Sequence, residues 1–297
     1  MRRAQVEALA RAAGFHACGV AAADSVPGFE SRLRAWVDDG CAADMGYMKE
    51  RMAMRGDPRM LVQGARSVVS CLLAYKPSRA MHGTHRLARY AYGEDYHLRM
   101  KGMLLRLLRD IRALYPDVEG RAFVDTAPIS DKEWAVRAGL GWRGKNTLLV
   151  HPLYGSYVFL GELVLTAACD GYATPLASPS CGDCQRCVQA CPNHAIALHG
   201  GRYRIDARRC NSYHTIENRS DVLPSGLNLA GYAFGCDCCQ EACPYNQSAP
   251  ATQQVSEDEL ARLEALWQAD EDAFRRARKG SALARIKYAQ WRRNIGE

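Results

Sequence analysis

Two runs of cysteine residues carry the clearest chemistry in this sequence. Residues 181–192 have the spacing C-x2-C-x2-C-x3-C-P, residues 236–244 have the spacing C-x2-C-x3-C-P, and Cys210 lies between the two runs. The first spacing is that of bacterial ferredoxins, in which cysteine thiolates hold [4Fe–4S] clusters. Three closely spaced thiolates bind one cluster in that motif, and the fourth cysteine binds the other cluster. The sequence therefore predicts two clusters whose ligands are exchanged between the two runs.

The predicted exchange divides eight cysteine residues into two sets of four. The first cluster is expected to bind Cys181, Cys184, Cys187 and Cys243, and the second to bind Cys191, Cys210, Cys236 and Cys239. Cys238 precedes Cys239 and could compete with it as a ligand, but the x2 and x3 intervals of the motif favour Cys239.

Two other uses of cysteine fit this spacing less well. A zinc site takes four ligands, often in two C-x2-C pairs, and neither the third cysteine of the first run nor the two C-x3-C-P endings match that pattern. A disulfide framework is typical of small secreted chains, whereas this chain has 297 residues. The remaining cysteines are expected to be ordinary buried thiols: Cys18, Cys41, Cys71 and Cys169.

The length and composition indicate a protein of several segments in a reducing compartment. We expect a first domain at residues 1–170, a cluster domain at 171–250 and a basic helical segment at 251–297. Thirteen thiols and the lack of a signal-peptide pattern after Met1 predict a cytoplasmic location. No apolar stretch is long enough to span a membrane. The formal net charge of +7 permits a polyanionic partner without requiring one.

Helical and strand patterns alternate before the cysteine runs, which is typical of an α/β or α+β layered domain. The longest predicted helix covers residues 96–115, with apolar residues at helical spacing. Residues 45–55 are expected to form another helix, with methionines along one face. The glycine-dense residues 139–146 match neither a dinucleotide-binding nor a Walker motif. They form either a tight turn or a loop whose backbone approaches a ligand.

Asp125 and His97 are the candidate acid–base residues outside the cysteine runs. Asp125 ends an apolar strand pattern, so it is either the N-cap of the next helix or a site residue at a strand end. If it is buried, desolvation would raise its pKa and keep it protonated, which suits a general acid. His97 is open to a structural or a ligand-binding interpretation. A bare ferredoxin does not need the roughly 170 residues before the cysteines, which favours an enzyme.

Several motifs together resemble the epoxyqueuosine reductase family. They include VDTAP at residues 124–128, RAGLGW at 137–142, GKNT at 144–147 and DYH at 95–97. Residues 208–217 and the tail at 280–294 are similar as well, so the resemblance covers nearly the whole chain from about Met45 onward. This sequence departs from the family pattern at Cys238 and in lacking the helical-repeat extension of longer members.

The resemblance implies a cobalamin- and iron–sulfur-dependent enzyme that reduces epoxyqueuosine to queuosine at the wobble position of tRNA. This is the last step of queuosine biosynthesis. The implied fold class is α+β: an α/β-layered cobalamin-binding domain related to reductive dehalogenases, a bacterial-ferredoxin-like two-cluster module, and a C-terminal helical segment. Besides tRNA, the implied partner is a flavodoxin- or ferredoxin-type reductant, without a membrane, and the protein is expected to be a monomer. The alternatives are a reductive dehalogenase-like cobalamin reductase and a two-cluster electron-transfer protein.

The resemblance also gives roles to particular residues. Asp125 matches the proton donor of the family. Contact with cobalamin is implied for Arg55, His97, Arg137, Asn146, Ser212 and Asp237. Contact with tRNA is expected for Glu217, Arg275, Arg276, Lys279, Arg285 and Lys287, since Lys and Arg bind phosphates. A solvated charged helix face remains the alternative explanation of the basic tail.

Overall fold

The computed structural model describes residues 1–125, 127–176 and 180–296. The α-helices in these ranges are α1 (Arg3–Ala12), α2 (Phe29–Asp38), α3 (Met52–Gly56), α4 (Tyr96–Leu114), α5 (Asp131–Arg137), α6 (Arg186–Gln189), α7 (Cys238–Glu241), α8 (Pro244–Ser248), α9 (Glu257–Glu264), α10 (Glu271–Arg278) and α11 (Tyr288–Ile295). The strands are β1 (Ala17–Ala22), β2 (Ser67–Ala74), β3 (Arg86–Leu87), β4 (Gly120–Phe123), β5 (Trp142–Arg143), β6 (Leu149–Val150), β7 (Val158–Leu165), β8 (Ile196–His199), β9 (Arg202–Ile205) and β10 (Tyr232–Phe234). Across the described ranges, every helix is too short or too polar to cross a membrane.

A four-stranded antiparallel sheet forms the centre of the first half of the chain, with the strand order β1-β2-β7-β4. Every position of β2 is buried, because helices cover both faces of the sheet. Burial on both faces explains why β2 is a continuous apolar run rather than an alternating one. Since all neighbouring strands of this sheet are antiparallel, the domain is α+β, one of the two expected classes.

Helices on the two faces of the sheet fix the surroundings of the candidate site. On one face, α4 buries Met100, Leu104 and Leu107 in a core that it shares with α1. On the other face, α5 buries Trp134 against the sheet. Full burial of each such side chain stabilises the fold by about 1.5–3 kcal/mol. The N-terminal ends of α4 and α5 are thereby held in place.

Residues 45–55 do not form the continuous helix that the methionine pattern predicts. Gly46–Met48 is a 3₁₀ turn, and α3 begins after Arg51, whose backbone is left-handed with φ 51°. A left-handed residue cannot continue a right-handed helix, so the helix breaks there. The break lets Arg55 Nη2 donate a hydrogen bond to the carbonyl oxygen of Tyr47 at 3.0 Å.

The C-terminal helices share one apolar core with both preceding segments. β3 and β10 pair in parallel, which places Leu87 beside Phe234. Phe274 and Trp291 are buried in the same core, with ring centroids 5.1 Å apart. The side-chain amide of Asn294 donates to two backbone carbonyl groups of the cluster segment. The three expected segments therefore pack against one another in this core, and their boundaries remain predictions.

Candidate active site and cluster module

The cysteines expected at the first cluster lie near one another. Cys187, in α6, has the thiols of Cys181, Cys184 and Cys243 as its electrostatic neighbours. Burial, together with these neighbours, raises the pKa of Cys187 to about 11. Because iron coordination deprotonates a thiol, a bound cluster would supply the positive charge that this buried group of thiols needs.

The cysteines expected at the second cluster form an adjacent group. Cys239, in α7, has Cys210 and Cys191 as electrostatic neighbours, and Cys236 in turn has Cys239. Cys187 of the first group is also a neighbour of Cys239, so the two groups adjoin. The sulfur of Cys191 accepts a backbone N–H at 3.2 Å. Hydrogen bonds of this kind to sulfur tune cluster potentials.

The extra thiol of the module, Cys238, lies within hydrogen-bonding reach of Cys236. Within the ranges that the structure describes, no three His, Cys, Asp or Glu side chains converge on the position of one metal ion. A [4Fe–4S] cube does not ask for such convergence, since each of its four thiolates binds a different iron.

Asp125, His97 and Asp95 form a hydrogen-bonded chain at the N-terminus of α4. His97 Nε2 lies 3.1 Å from Asp125 Oδ2, and His97 Nδ1 lies 2.7 Å from Asp95 Oδ1. Asp95 is the N-cap of α4 and also accepts the backbone N–H of His97 at 3.0 Å. The imidazole is therefore held at both ring nitrogens. Asp125 is the open end of the chain, with 52% of its side chain exposed against 22% for His97.

The electrostatics of this chain place its proton on His97. Burial lowers the pKa of His97, but the hydrogen bonds to Asp125 and Asp95 outweigh burial, and the pKa is raised above 6.5. The hydrogen bond from His97 is the largest influence on Asp125 and lowers its pKa below 3.8. The sequence made a protonated Asp125 conditional on burial, and the structure does not meet that condition. Asp125 is half exposed and ionised, and the proton that it can pass on is stored on His97.

The backbone and neighbours of Asp125 hold it in an unusual position. Its φ of 46° lies in the left-handed region that few non-glycine residues adopt, although Asp and Asn do so more often than most. The hydroxyl group of Tyr96 donates to the Asp125 carboxylate. The ring of Tyr96 stacks on His97 at 4.0 Å and on Phe159 at 4.2 Å. Conformations of this kind persist where surrounding contacts over-determine them, and they cluster at active sites.

An ion pair from the later part of the chain borders the same site. Arg285 donates to Glu217, and the charge of Arg285 acts on both Asp125 and Tyr47. The backbone N–H of Asp95 donates to the carbonyl oxygen of Gly280 at 2.8 Å. Two of the residues expected at tRNA, Glu217 and Arg285, thus lie beside the candidate acid–base pair.

One of the two arginines expected at a cofactor has a buried donor without a partner among the described residues. Arg55 is an electrostatic neighbour of Asp125, and its buried Nε has no hydrogen-bond partner among the described residues. Burial lowers the pKa of Arg55. The guanidinium group of Arg137 lies 5.2 Å from the ring centroid of Trp134. A buried guanidinium donor without an acceptor is what an absent ligand with oxygen acceptors would leave behind.

Of the other residues expected at a cofactor, Asp237 and Asn146 are hydrogen-bonded within the protein. Asp237 is 1% exposed, and its two oxygens accept from the backbone N–H of Arg89 at 2.8 Å and from Gln240 at 3.0 Å. Burial raises the pKa of Asp237 to about 6. Asn146 is buried in a turn, where Oδ1 accepts the N–H of Leu148 at 3.3 Å. Ser212 is half-buried before a π-helical turn at Tyr213–Glu217. Asp237 and Asn146 therefore serve the fold directly.

The glycine-dense loop is a tight turn between protein segments. It contains β5, which pairs with the following strand β6, and a Cβ added at Gly141 would lie 2.3 Å from the carbonyl oxygen of Val150. Lys145 donates to the carbonyl oxygen of Gly182 at 2.7 Å, and Arg143 pairs with Glu133 at 3.1 Å. Of the two interpretations left open by the sequence, the structure supports the turn, which docks the first domain on the cluster module.

The remaining residues expected at tRNA lie on the surface of the C-terminal helices. Arg275 pairs with Asp272 at 2.5 Å in α10. Arg276, Lys279 and Lys287 are exposed. These cations are available to a polyanion, whereas a buried charge would not be.

Asp95 and Tyr96 belong to the site, and sequence reasoning missed both roles. The motif Asp95-Tyr96-His97 lies at the start of a predicted helix, where Asp is a strong N-cap signal. In a sequence, an aspartate that only caps a helix cannot be told from one that also hydrogen-bonds a histidine ring. Only the fold shows that the Asp95 carboxylate contacts both the backbone and the ring of His97.

The fold and the site together define an iron–sulfur oxidoreductase. A family model described as a 4Fe-4S double cluster binding domain matches residues 180–246. A second model, described as "Epoxyqueuosine reductase QueG, DUF1730", matches residues 55–126. The first match supports two iron–sulfur clusters, and the second covers Arg55, His97 and Asp125.

Comparison with known proteins gives the family. An epoxyqueuosine reductase of Synechococcus sp. (strain CC9605) is 39% identical, over 97% of this chain and 92% of its own length. The structure of epoxyqueuosine reductase from Streptococcus thermophilus matches 98% of this chain and 79% of its own, with a TM-score of 0.87 and 27% identity. A crystal structure of epoxyqueuosine reductase with an epoxyqueuosine-modified tRNA-Tyr stem loop matches with a TM-score of 0.84, 25% identity and the same coverage. The chain belongs to the epoxyqueuosine reductase family.

Proposed function

We propose that this protein reduces epoxyqueuosine in tRNA to queuosine. The observation that carries the proposal is the half-exposed Asp125 carboxylate, hydrogen-bonded at 3.1 Å to a histidine of raised pKa, in a chain that also carries a double-cluster domain. Electron input and proton delivery are the two requirements of a reductive C–O cleavage. A solved relative with an epoxyqueuosine-modified stem loop supports the same substrate for this chain.

The reaction balances with two electrons and two protons. Both C–O bonds of the epoxide break, a carbon–carbon double bond forms, and the oxygen leaves as water. The electrons come singly through the two clusters from a flavodoxin- or ferredoxin-type reductant. Negative charge develops on the oxygen as the first C–O bond breaks, and a positioned acid lowers that barrier.

Asp125 and His97 supply that acid as a pair. The exposed Asp125 carboxylate faces the substrate, and His97 behind it holds the proton in the resting state. Asp95 and the Tyr96 ring keep the imidazole aligned. Transfer from His97 through Asp125 to the oxygen leaves a neutral histidine, which solvent then protonates again.

Cobalamin is the cofactor that we propose for the electron-transfer step. When bound, it supplies a low-potential metal centre that accepts electrons from the clusters and donates them to the epoxide. Arg55 and Arg137 would hold it, because the buried Nε of Arg55 lacks an acceptor in the described part of the chain and cobalamin offers amide and phosphate oxygens. His97, Asn146, Ser212 and Asp237 are the further residues that we propose for contact with cobalamin.

The crossed ligation is the arrangement that we propose for the clusters. Its support is the neighbourhood of Cys187 with Cys181, Cys184 and Cys243, and of Cys239 with Cys191 and Cys210. Cys236 completes the second set by spacing. The adjoining of the two groups gives a short route for electrons between the clusters.

The RNA surface that we propose extends from the site along the C-terminal helices. Glu217 and Arg285 border Asp125, and exposed cations continue from there at Arg275, Arg276, Lys279 and Lys287. A loop nucleotide must be splayed out of its stack to reach a recessed site, and phosphate contacts hold its flanks. We further propose a cytoplasmic monomer, in keeping with the thiol content.

The deciding experiment uses anaerobically purified protein with cobalamin, a chemical reductant and tRNA that carries epoxyqueuosine. Mass spectrometry of the digested tRNA should show the loss of one oxygen atom from the modified nucleoside. Cobalamin bands should appear over the iron–sulfur absorption of the protein. A protein that neither takes up cobalamin nor changes the tRNA would instead be an electron-transfer protein.

A further inference from the structure

Two more carboxyl groups lie next to the candidate site, and the proposed chemistry has not yet used them. Glu162, in β7, is fully buried. Asp131, the first residue of α5, is half-buried and is an electrostatic neighbour of Asp125. The carboxyl groups of Glu162 and Asp131 are within hydrogen-bonding reach of each other. Asp131 therefore lies between the buried Glu162, within hydrogen-bonding reach, and the site, where Asp125 is its electrostatic neighbour.

The hydrogen bonds around this pair require a proton. Ser70, directly opposite Glu162 in β2, donates to Glu162 Oε1 at 3.1 Å. Glu162 Oε2 and Asp131 Oδ1 are buried, and neither has a donor among the described residues. Two ionised carboxylates can only accept, so they cannot satisfy each other. A single proton between them converts the repulsion into a hydrogen bond, as in other carboxyl pairs that share a site.

The charged groups around Asp131 come from several elements. Lys132, in the same helix, favours the ionised form of Asp131, whereas Asp125 opposes it. Arg55 of α3 is a further cation that faces Asp131, and the hydroxyl group of Tyr96 in α4 is a further titratable neighbour. Because the effects of Lys132 and Asp125 on the pKa of Asp131 oppose each other, burial has the largest effect on that pKa.

Titration of the pair follows from that burial. Burial raises the pKa of Asp131 to about 6 and raises that of Glu162 well above 4.5. The titratable neighbour of Glu162 from β2 is the buried thiol of Cys71, whose own pKa burial raises, so it stays neutral. At neutral pH the pair therefore retains one proton, held on Glu162 and shared with Asp131.

We propose that Glu162 and Asp131 store the second proton of the reaction and that Asp131 passes it toward Asp125. The inference rests on the proposed function, because only a two-proton reduction needs a second store. His97 supplies the proton for the first C–O cleavage, and the buried pair supplies the one that lets the oxygen leave as water. The pair regains its proton from solvent through half-buried Asp131 between turnovers. Glu162 acts through Asp131 and is a positioning residue.

The variant Glu162→Gln tests this proposal in the cluster-loaded, cobalamin-loaded protein. Glutamine can accept from Ser70 and donate to Asp131, but it has no proton to release. We expect kcat to fall by roughly 10² or more, the range of general acid–base effects, with an unchanged KM for tRNA. Glu133→Gln is the matched control on α5, where the half-buried Glu133 pairs with Arg143, and its kcat should stay at the wild-type value.

Infrared difference spectroscopy gives a readout that does not depend on turnover. Wild-type protein should show a protonated-carboxyl band that shifts in D2O, and Glu162→Gln should lack it. If Glu162→Gln loses iron and fails to fold, Asp131→Asn takes its place: its kcat should fall in the same way, and its protonated-carboxyl band should shift rather than vanish, because Glu162 keeps its proton but changes its partner. Absence of the band in wild type, or a wild-type kcat in the folded variant, would overturn the proposal. A wild-type protein that shows the band but never reduces epoxyqueuosine would overturn the proposed function and with it the second-proton role.

Discussion

The Asp125 carboxylate is the group that the proposed chemistry cannot lose. Asp125→Asn keeps the shape and tolerates the left-handed backbone, φ 46°, but it cannot relay a proton. We expect epoxide reduction to fall by roughly 10²–10⁴-fold while both clusters stay in place. Single-turnover assays and iron analysis measure the two quantities, with Asp117→Asn at an exposed loop as the control. Turnover at the wild-type rate would rule out the relay.

The pH dependence of reduction should report on His97. Its pKa is raised above 6.5, so the rate should fall as pH rises through that raised value. In His97→Gln, Asp125 loses the partner that lowers its pKa, and the alkaline limb should move toward an ordinary carboxyl value of about 3.9. At pH 7, only a small fraction of Asp125 in this variant would be protonated and able to donate. Single-turnover rates from pH 4 to 9 test this, with His199→Gln on the β8–β9 hairpin as the control; an unmoved limb would show that another group is titrating.

The same pair affects stability with a definite sign. The raised pKa of His97 contributes stability that is fully present below about 6.5 and is lost as pH rises through the folded value. The lowered pKa of Asp125 contributes stability that is present above its ordinary value and is lost as pH falls through the lowered one. The pair therefore supports the fold most between these limits.

The sequence singled out the cysteines and Asp125 as candidates, but it gave no reason to consider Glu162. Ligand spacing is a local property of the chain, so the cysteine runs could be interpreted without a fold. The shared proton of Glu162 depends on Ser70 and Asp131, which come from other elements and meet it only in the folded sheet. The protonation state of a carboxyl group such as Glu162 therefore cannot be predicted from the spacing of residues along the chain.

At the scale of elements, the contact between α5 and β1 holds the Asp131 side of the site. A Cβ at Gly19 would lie 1.9 Å from the carbonyl oxygen of Ala138 at the end of α5. Gly19→Ala should therefore lower the free energy of unfolding by about 1–3 kcal/mol, because the helix must move away from the sheet. Denaturant unfolding measures the change.

The matched control for that substitution is Gly102→Ala in α4. Gly102 is exposed in the middle of the helix, and a Cβ there would meet nothing within 4 Å. Alanine should stabilise the helix by about 0.5–1 kcal/mol. If Gly19→Ala behaved like Gly102→Ala, the packing of α5 on β1 would not constrain the site.

Elements with a long apolar pattern were predictable, and short ones were not. The helix α4 extends to within a residue of the ends that its pattern predicts. The two-residue strands β3 and β5 lack any periodicity, since a pattern of period two needs more residues to be seen. Their pairing is decided by distant segments instead.

At the scale of the whole molecule, tRNA binding should depend on salt through the C-terminal cations. Charge reversal at Arg275, Arg276 and Lys279 should weaken binding and reduce the salt slope by roughly two to three, since each phosphate contact contributes about 0.7–0.9. Filter binding across a salt series measures both. The matched control reverses three exposed cations of α4: Lys101, Arg106 and Arg109. An unchanged slope in the first variant would leave the tail as a solvated helix face.

The core shared by β3, β10 and the C-terminal helices has a consequence for how the protein is made. Leu87, Phe234 and Trp291 meet in one core, although they leave the ribosome far apart in time. Chains emerge from the N-terminus onward, and contacts between distant segments form late. Because β10 immediately precedes the second cysteine run, that run reaches its final position only once the last helix has been released. We therefore expect the clusters to be inserted after α11 has been synthesised rather than before.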